Sequence, residues 1–155
     1  MPKESAGLLM YRRRLGKLEF LLAHPGGPVW QHKEAGVWTI PKGELTPGEE
    51  PLAAAQREFE EELGFKPQGS FLPLTPIVQK SGKLVRAWAF EGDCDPERIH
   101  SNTCTIEWPP RSGQPLEIPE VDRAAFFDLN EGKKRINPAQ IPLLEEIAKK
   151  LNIEG

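Results

Sequence analysis

The stretch from Gly43 to Phe65 constrains the fold more than any other part of the sequence. Its second half predicts a helix over Pro51 to Leu63, because proline is tolerated in a first helical turn and Gly64 is placed to end the helix. Apolar residues recur there at helical spacing, at Leu52, Ala55, Phe59 and Leu63. This stripe must be buried, so the helix is expected to cover another layer of structure.

The other side of the same helix carries acidic residues. One helical residue turns about 100°, so Glu58, Glu61 and Glu62 share a face, and Arg57 can hydrogen-bond to Glu61. Carboxylates this close repel each other, and the helix dipole near a C-terminus adds to the cost. They are therefore either solvated or bound to a divalent cation, for which hard oxygen ligands suit Mg²⁺ or Mn²⁺. The helix alone leaves both interpretations open.

The longer spacing pattern favours the cation site. Gly43 is followed after five residues by Glu49, and after seven more by Arg57-Glu58; Glu61-Glu62 and Gly64-Phe65 complete the run. This segment resembles the Nudix box, Gly-x5-Glu-x7-Arg-Glu-U-x-Glu-Glu-x-Gly-U with U apolar, at every specified position. The chain therefore resembles a Nudix hydrolase of the MutT-like type.

The resemblance implies a role for each residue of the box. The metal ligands would be the carboxylates of Glu58, Glu61 and Glu62 and the backbone carbonyl of Gly43. Arg57 would orient a glutamate by ion pairing and, with Glu61, would belong to the catalytic group. Glu49 would hold the loop. The family also implies an α/β/α sandwich with a mixed β-sheet, with Mg²⁺ as cofactor and Mn²⁺ as a second option.

Four residues outside the box are candidate site residues. Lys42 is placed to reach a phosphate, although an exposed loop lysine fits equally well. Members of the family often use a later acid to complete the metal site or act as base; Glu120 is predicted here, with Glu107 as the alternative. Trp108 is predicted to contact substrate, because the stiff, basic loop from Pro109 to Gly113 follows it.

The predicted reaction is Mg²⁺-dependent cleavage of a phosphoanhydride bond in a nucleotide, with nucleoside triphosphates as the leading substrates. Dinucleoside polyphosphates are the alternative, but members acting on them often carry a tyrosine past the box, and the only tyrosine here is Tyr11. A Nudix-like nucleotide-binding module without catalysis is a further alternative. The intact box argues against that alternative.

The rest of the chain predicts an α/β domain. Its length of 155 residues suits one domain with one core over residues 1–155. A final helix is predicted from Pro138 with Asn137 as N-cap. Strands are predicted for residues 6–11, 18–23, 71–79, 84–91, 103–108 and 124–129, and residues 37–40 are β-prone. Strands with one helix in the middle and one at the end give a mixed sheet covered by helices.

Charge and composition exclude several classes of partner. The net charge of −3 provides no general attraction to nucleic acid or an anionic membrane, so a nucleotide substrate would need local neutralisation. Cys94 and Cys104 are isolated and read as incidental thiols, and the histidines show no ligand spacing and are also taken as incidental. No targeting segment is recognisable, and a cytoplasmic protein is expected. The oligomeric state stays open.

Overall fold

A mixed seven-stranded sheet lies at the centre of the structure, a computed structural model that describes residues 3–151. Residues 1–2 and 152–155 lie outside the described part. The helices are α1 (Pro51–Leu63), α2 (Leu129–Arg135) and α3 (Ile141–Lys150). The strands are β1 (Glu4–Arg14), β2 (Lys17–Pro25), β3 (Lys42–Glu44), β4 (Leu72–Pro73), β5 (Ile77–Val78), β6 (Leu84–Glu91), β7 (Thr103–Glu107), β8 (Pro115–Pro119) and β9 (Val121–Asp128).

Strand β1 organises the sheet. It pairs in parallel with β6 and antiparallel with β2 and β3, and β9 extends the sheet beyond β2. The main order is β4-β6-β1-β2-β9, with β3 and β5 paired off this path to β1 and β6. The α/β class with a mixed sheet is therefore confirmed.

Alternating side chains of the central strands fill two separate cores. On one face, Leu8 and Met10 pack with Phe59 and Leu63 of α1. On the other face, Leu9 and its neighbours on β2 pack against α3 through Leu143, Leu144 and Ile147. Because successive strand residues point to opposite faces, one strand serves both cores. The predicted three-layer sandwich is confirmed, and α1 is the helix that covers the first face.

The observed elements differ from the predicted ones where prolines or tertiary contacts intervene. The strand predicted over 71–79 is divided into β4 and β5, because Pro73 and Pro76 cannot donate to a ladder. Residues 37–40 form only isolated bridges at Trp38 and Thr39. Neither β8, bounded by prolines, nor α2, which has Gly132 at its centre, was predicted.

The C-terminal α-helix begins at Ile141, three residues after the predicted start at Pro138, because Asn137 caps a short 3-10 turn instead. The side chain of Asn137 accepts a hydrogen bond from the N–H of Ala139, and a 3-10 turn over Pro138–Gln140 leads into α3. Within residues 3–151, no helix combines the length and the hydropathy needed to cross a bilayer.

Candidate functional site

The Gly43 position explains why α1 lies so close to the sheet. Strand β3 pairs with β1, with Gly43 opposite Ala6, and this brings the backbone at Gly43 against the helix. A Cβ atom at position 43 would overlap the carboxylate of Glu58. Any larger residue would push either the strand or the glutamate away, so glycine is required here for close approach rather than for an unusual backbone angle.

The C-terminal end of α1 is bonded to a distant segment of the chain. Gly64 ends the helix in the left-handed conformation at φ 86°, and its N–H donates to the Glu60 carbonyl. The N–H of Asn102 then donates to the carbonyl of Glu61 at 2.8 Å, and the N–H of Glu120 donates to the carbonyl of Asn102 at 2.9 Å. This backbone connection places Glu120 beside the helix although it lies far away in sequence.

Three carboxylates converge at this junction. Glu58, Glu62 and Glu120, here called the acid cluster, each offer an oxygen atom, and these atoms lie within 4.8 Å of one another. Glu62 is only 7% exposed. Helical spacing puts Glu58 and Glu62 on one face of α1, and the backbone connection brings Glu120 to them.

Burial and mutual repulsion disfavour the ionised form of the carboxylates in the acid cluster. Burial, followed by the charges of Glu58 and Glu120, raises the pKa of Glu62 well above its ordinary value. Burial and Glu61 raise the pKa values of both Glu58 and Glu120, and for Glu58 nearby Arg57 partly opposes the shift. A divalent cation would offset this repulsion, and three carboxylate oxygens are a donor set that Mg²⁺ or Mn²⁺ favours. The residues present therefore fit such an ion.

Arg57 connects the remaining acidic residues of the box. Its Nη1 donates to Glu61 at 3.0 Å and to Glu58 at 2.9 Å, and its Nε donates to Glu49 at 2.8 Å. The Arg57 hydrogen bond and the N–H of Thr46 lower the pKa of Glu49 to about 2. The expected pairing of Arg57 with Glu61 is present. Glu58 thus accepts a hydrogen bond from Arg57 and also belongs to the acid cluster, whereas Glu61 accepts from Arg57 and lies outside the cluster.

Lys42 lies on β3 next to this arrangement. Burial and the neighbouring charge of Lys83 lower the pKa of Lys42, while Glu62 and Glu58 act in the opposite direction. Lys83 is itself paired with Glu44, its Nζ 3.4 Å from a carboxylate oxygen, so this side of the cluster carries two cations and one acid. Lys83 directly precedes β6, and the pairing of both β6 and β3 with β1 brings it to this place.

The two candidates on the β7–β8 hairpin lie elsewhere. We call residues 103–119 the arm; its register runs from Thr103 opposite Pro119 to Glu107 opposite Pro115. Glu107 accepts hydrogen bonds from the N–H groups of Arg111 and Gly113, in the turn at the tip. Trp108 also lies at the tip, roughly 17 Å along the strand from the root of the arm. Glu120, at the root, is the later acid that joins the cluster.

His24 has a structural role that the sequence had not indicated. It is fully buried, with Nδ1 2.8 Å from a carboxylate oxygen of Asp122 and Nε2 2.6 Å from the carbonyl oxygen of Lys33. The position of His24 on the inward side of β2 was the sequence signal that could have indicated its burial. His24 therefore fixes the loop that follows β2.

The sandwich and its acid-lined helix define an α/β domain in which a carboxylate cluster lies against a glycine-containing strand. The profile of the NUDIX domain family matches residues 1–147, which is nearly the whole chain. The chain belongs to the NUDIX domain family, and the resemblance found in the box is confirmed.

Named relatives and a solved structure agree with this assignment. A bis(5'-nucleosyl)-tetraphosphatase [asymmetrical] of Caenorhabditis elegans is 44% identical over 62 residues, covering 40% of this chain and 41% of that protein. The Rattus norvegicus protein of the same name is 31% identical over 103 residues, covering 59% and 66%. The matched segments thus span less than two thirds of these relatives.

Structural similarity to a solved protein covers more of the chain than these sequence matches do. The crystal structure of a C. elegans Ap4A hydrolase binary complex superposes with a TM-score of 0.71 at 25% identity, covering 97% of this chain and 98% of that one. The family match and the hydrolase relatives together support a hydrolase that acts on phosphoanhydrides.

Proposed function

We propose that this chain is a divalent-cation-dependent hydrolase that cleaves a phosphoanhydride bond in a nucleotide, with the acid cluster as its cation site. The observation that carries the proposal is the convergence of Glu58, Glu62 and Glu120. These carboxylates and the Gly43 carbonyl would hold Mg²⁺, or alternatively Mn²⁺, with Glu61 in reach beside them. When bound, the ion would neutralise phosphate oxygens and lower the pKa of a bound water.

The chain's own residues have separate tasks in this proposal. Arg57 holds Glu58 and Glu61 in fixed orientations through charge-assisted hydrogen bonds. Glu120 takes the proton from the attacking water, because its raised pKa brings it closer to the pKa suited to a base near neutral pH. Lys42 binds the phosphate oxygens from the β3 side, and Lys83 adds positive charge beside it.

The proposed substrate class is the dinucleoside polyphosphates. Sequence reasoning placed nucleoside triphosphates first, and they stay a prediction to be tested beside the dinucleotides. Relatives named bis(5'-nucleosyl)-tetraphosphatase favour the dinucleotide class. Since the chain lacks a tyrosine past the box, a base would have to be recognised by other aromatic residues.

A nucleotide panel tests the proposal directly. Purified protein with Mg²⁺ or Mn²⁺ is incubated with diadenosine tetraphosphate, nucleoside triphosphates and ADP-ribose, and products are identified after reaction in ¹⁸O-labelled water. The label identifies the attacked phosphorus, and the ranking of kcat/KM identifies the substrate class. An absence of turnover on every substrate, accompanied by nucleotide binding, would overturn the enzyme and support the binding-module alternative.

A further inference from the structure

Three exposed apolar side chains lie on the two segments that adjoin Glu120. The large apolar residues that lie exposed within residues 3–151 are Leu15, Val29, Trp30, Leu72, Val78 and Leu116. Val29 and Trp30 belong to the loop of residues 26–36, and Leu116 belongs to the arm, the two segments that adjoin Glu120. Scattered exposed residues need no explanation, but a group next to a candidate site indicates a ligand surface.

The loop is held at both ends, so its exposed middle is presented by an anchored backbone. At its start, the Gly26 N–H donates to the carbonyl of Glu120 at 3.1 Å. At its other end, the carbonyl of Lys33 lies against buried His24, and Glu34 forms ion pairs with Arg123 and Arg135. An aromatic side chain on such a loop loses little additional freedom when a ligand binds.

The arm presents an apolar face to the beginning of this loop. Two cross-strand pairs, Cys104 with Ile118 and Ile106 with Leu116, lie on the same face. A Cβ at Gly27 would lie 2.7 Å from Cδ1 of Ile118, which shows that this face packs on the loop. Trp30 is close by, because its N–H donates to the carbonyl of Gly27 and a turn keeps residues three apart within about 7 Å.

We propose that Trp30 stacks on the nucleobase of the substrate, with the apolar face of the arm as the opposite wall. This inference rests on the proposed function, because the acid cluster at the meeting point of loop and arm would hold the phosphates. In a nucleotide the ribose lies between the base and the phosphates. Trp30 is similarly set apart from Glu120, by the first residues of the loop. Lys33, whose Nζ lies 5.2 Å from the centre of the Trp30 ring, adds positive charge for an anionic ligand.

Steady-state kinetics on diadenosine tetraphosphate test the stacking. Trp30→Ala should raise KM about tenfold with kcat within about twofold, whereas Trp30→Phe should keep most of the affinity, since base stacking tolerates a change of aromatic ring. Inorganic triphosphate, which has no base, should inhibit the wild-type and both variants with the same inhibition constant. Leu15→Ala removes an exposed apolar side chain at the β1–β2 turn and serves as the matched control, with unchanged KM.

Two kinetic results would overturn the inference while leaving the proposed hydrolase intact. The first is an unchanged KM in Trp30→Ala. The second is an equal weakening of inorganic triphosphate in that variant, which would show that the loop only supports Glu120.

A binding measurement separates this inference from the proposed function. Adenosine monophosphate should quench the tryptophan fluorescence of the wild-type protein, and Trp30→Phe should lose that quenching. This readout needs no turnover, so a protein that hydrolyses nothing in the panel still tests the stacking. Equal quenching in the wild type and Trp30→Phe would overturn the role of Trp30.

Discussion

Helix α1 and the arm meet at the same site but are built in opposite ways. The helix buries Phe59 and Leu63 in the core and carries its carboxylates on a surface fixed by that packing. The arm is a separate two-stranded sheet with most of its residues exposed. The helix thus provides a rigid set of charges, whereas the arm provides Glu120 at its root and an apolar face along its length. In the proposal, the helix therefore carries cation ligands, whereas the arm combines the proton acceptor at its root with a face for substrate recognition.

The largest expected effect comes from the helix side of this comparison. Glu62→Gln should lower turnover by about 100-fold or more, because a neutral amide is a poor ligand for a hard cation. Without metal, the same variant should have a raised melting temperature, since a buried charge disfavoured by its neighbours is removed. Glu60→Gln, an exposed glutamate on the same helix, is the matched control. Near-full activity in Glu62→Gln would remove the acid cluster from the proposal.

The root and the tip of the arm should respond differently to the same substitution. Glu120→Gln should reduce kcat by about 10- to 100-fold and alter its dependence on pH, because the proposed proton acceptor is lost. Glu107→Gln should leave kcat within about twofold, because Glu107 only accepts hydrogen bonds in the turn, each worth about 1 kcal/mol. Equal losses in the two variants would contradict the assignment of Glu120 over Glu107.

The carboxylates of the acid cluster should make the stability of the folded protein depend on pH. The pKa values of Glu58, Glu62 and Glu120 are raised in the folded protein, so the folded state binds more protons than the unfolded state just above pH 4.5. Metal-free protein should therefore lose stability as pH rises from 4.5 through these folded pKa values, and millimolar Mg²⁺ should reduce the loss.

The pKa of Glu49, lowered from 4.5 to about 2, has the opposite consequence and costs stability as pH falls below 4.5. Melting temperatures across pH with EDTA or Mg²⁺ measure both trends. If metal-free protein became steadily more stable up to neutral pH, repulsion among these carboxylates would be contradicted.

The smallest expected effect tests whether the arm is an independently opening unit. Arg111, in its turn, has φ 63°, a conformation that costs a side chain about 1 kcal/mol and glycine much less. Arg111→Gly should slow hydrogen exchange of arm amides such as those of Trp108 and Gly113, while the α1 amides stay unchanged. A matching change in α1 protection would mean that the arm and the helix open together.

The sequence predicted the helix side of the site well and the arm side poorly, for physical reasons. Helix α1 has the predicted bounds because the spacing of its apolar residues, Pro51 at its start and Gly64 at its end all indicate the same helix. Glu120 was predicted only as one of two acids, since its position depends on backbone bonds to Asn102 and Glu61. The second strand of the arm, β8, begins and ends in proline, which argues locally against a strand.

Other parts of the site depend on contacts that sequence spacing does not contain. The three box glutamates were expected to converge; Arg57 bonds both Glu58 and Glu61, and of the three only Glu58 and Glu62 belong to the acid cluster. The proximity of Lys83 to Lys42 results from sheet pairing, and the burial of His24 results from the loop folding over β2.

The link from α1 through Asn102 and Glu120 to Gly26 consists entirely of main-chain hydrogen bonds. Asn102 and Glu120 take part through main-chain atoms alone, whereas position 26 requires glycine, because a Cβ there would lie 2.1 Å from the carbonyl oxygen of Pro119. The tip of the arm can therefore change in sequence or length while Glu120, which follows the arm, keeps its place. Under the proposed function, a change in the tip of the arm would alter substrate recognition without any change to the helix that carries the other acids.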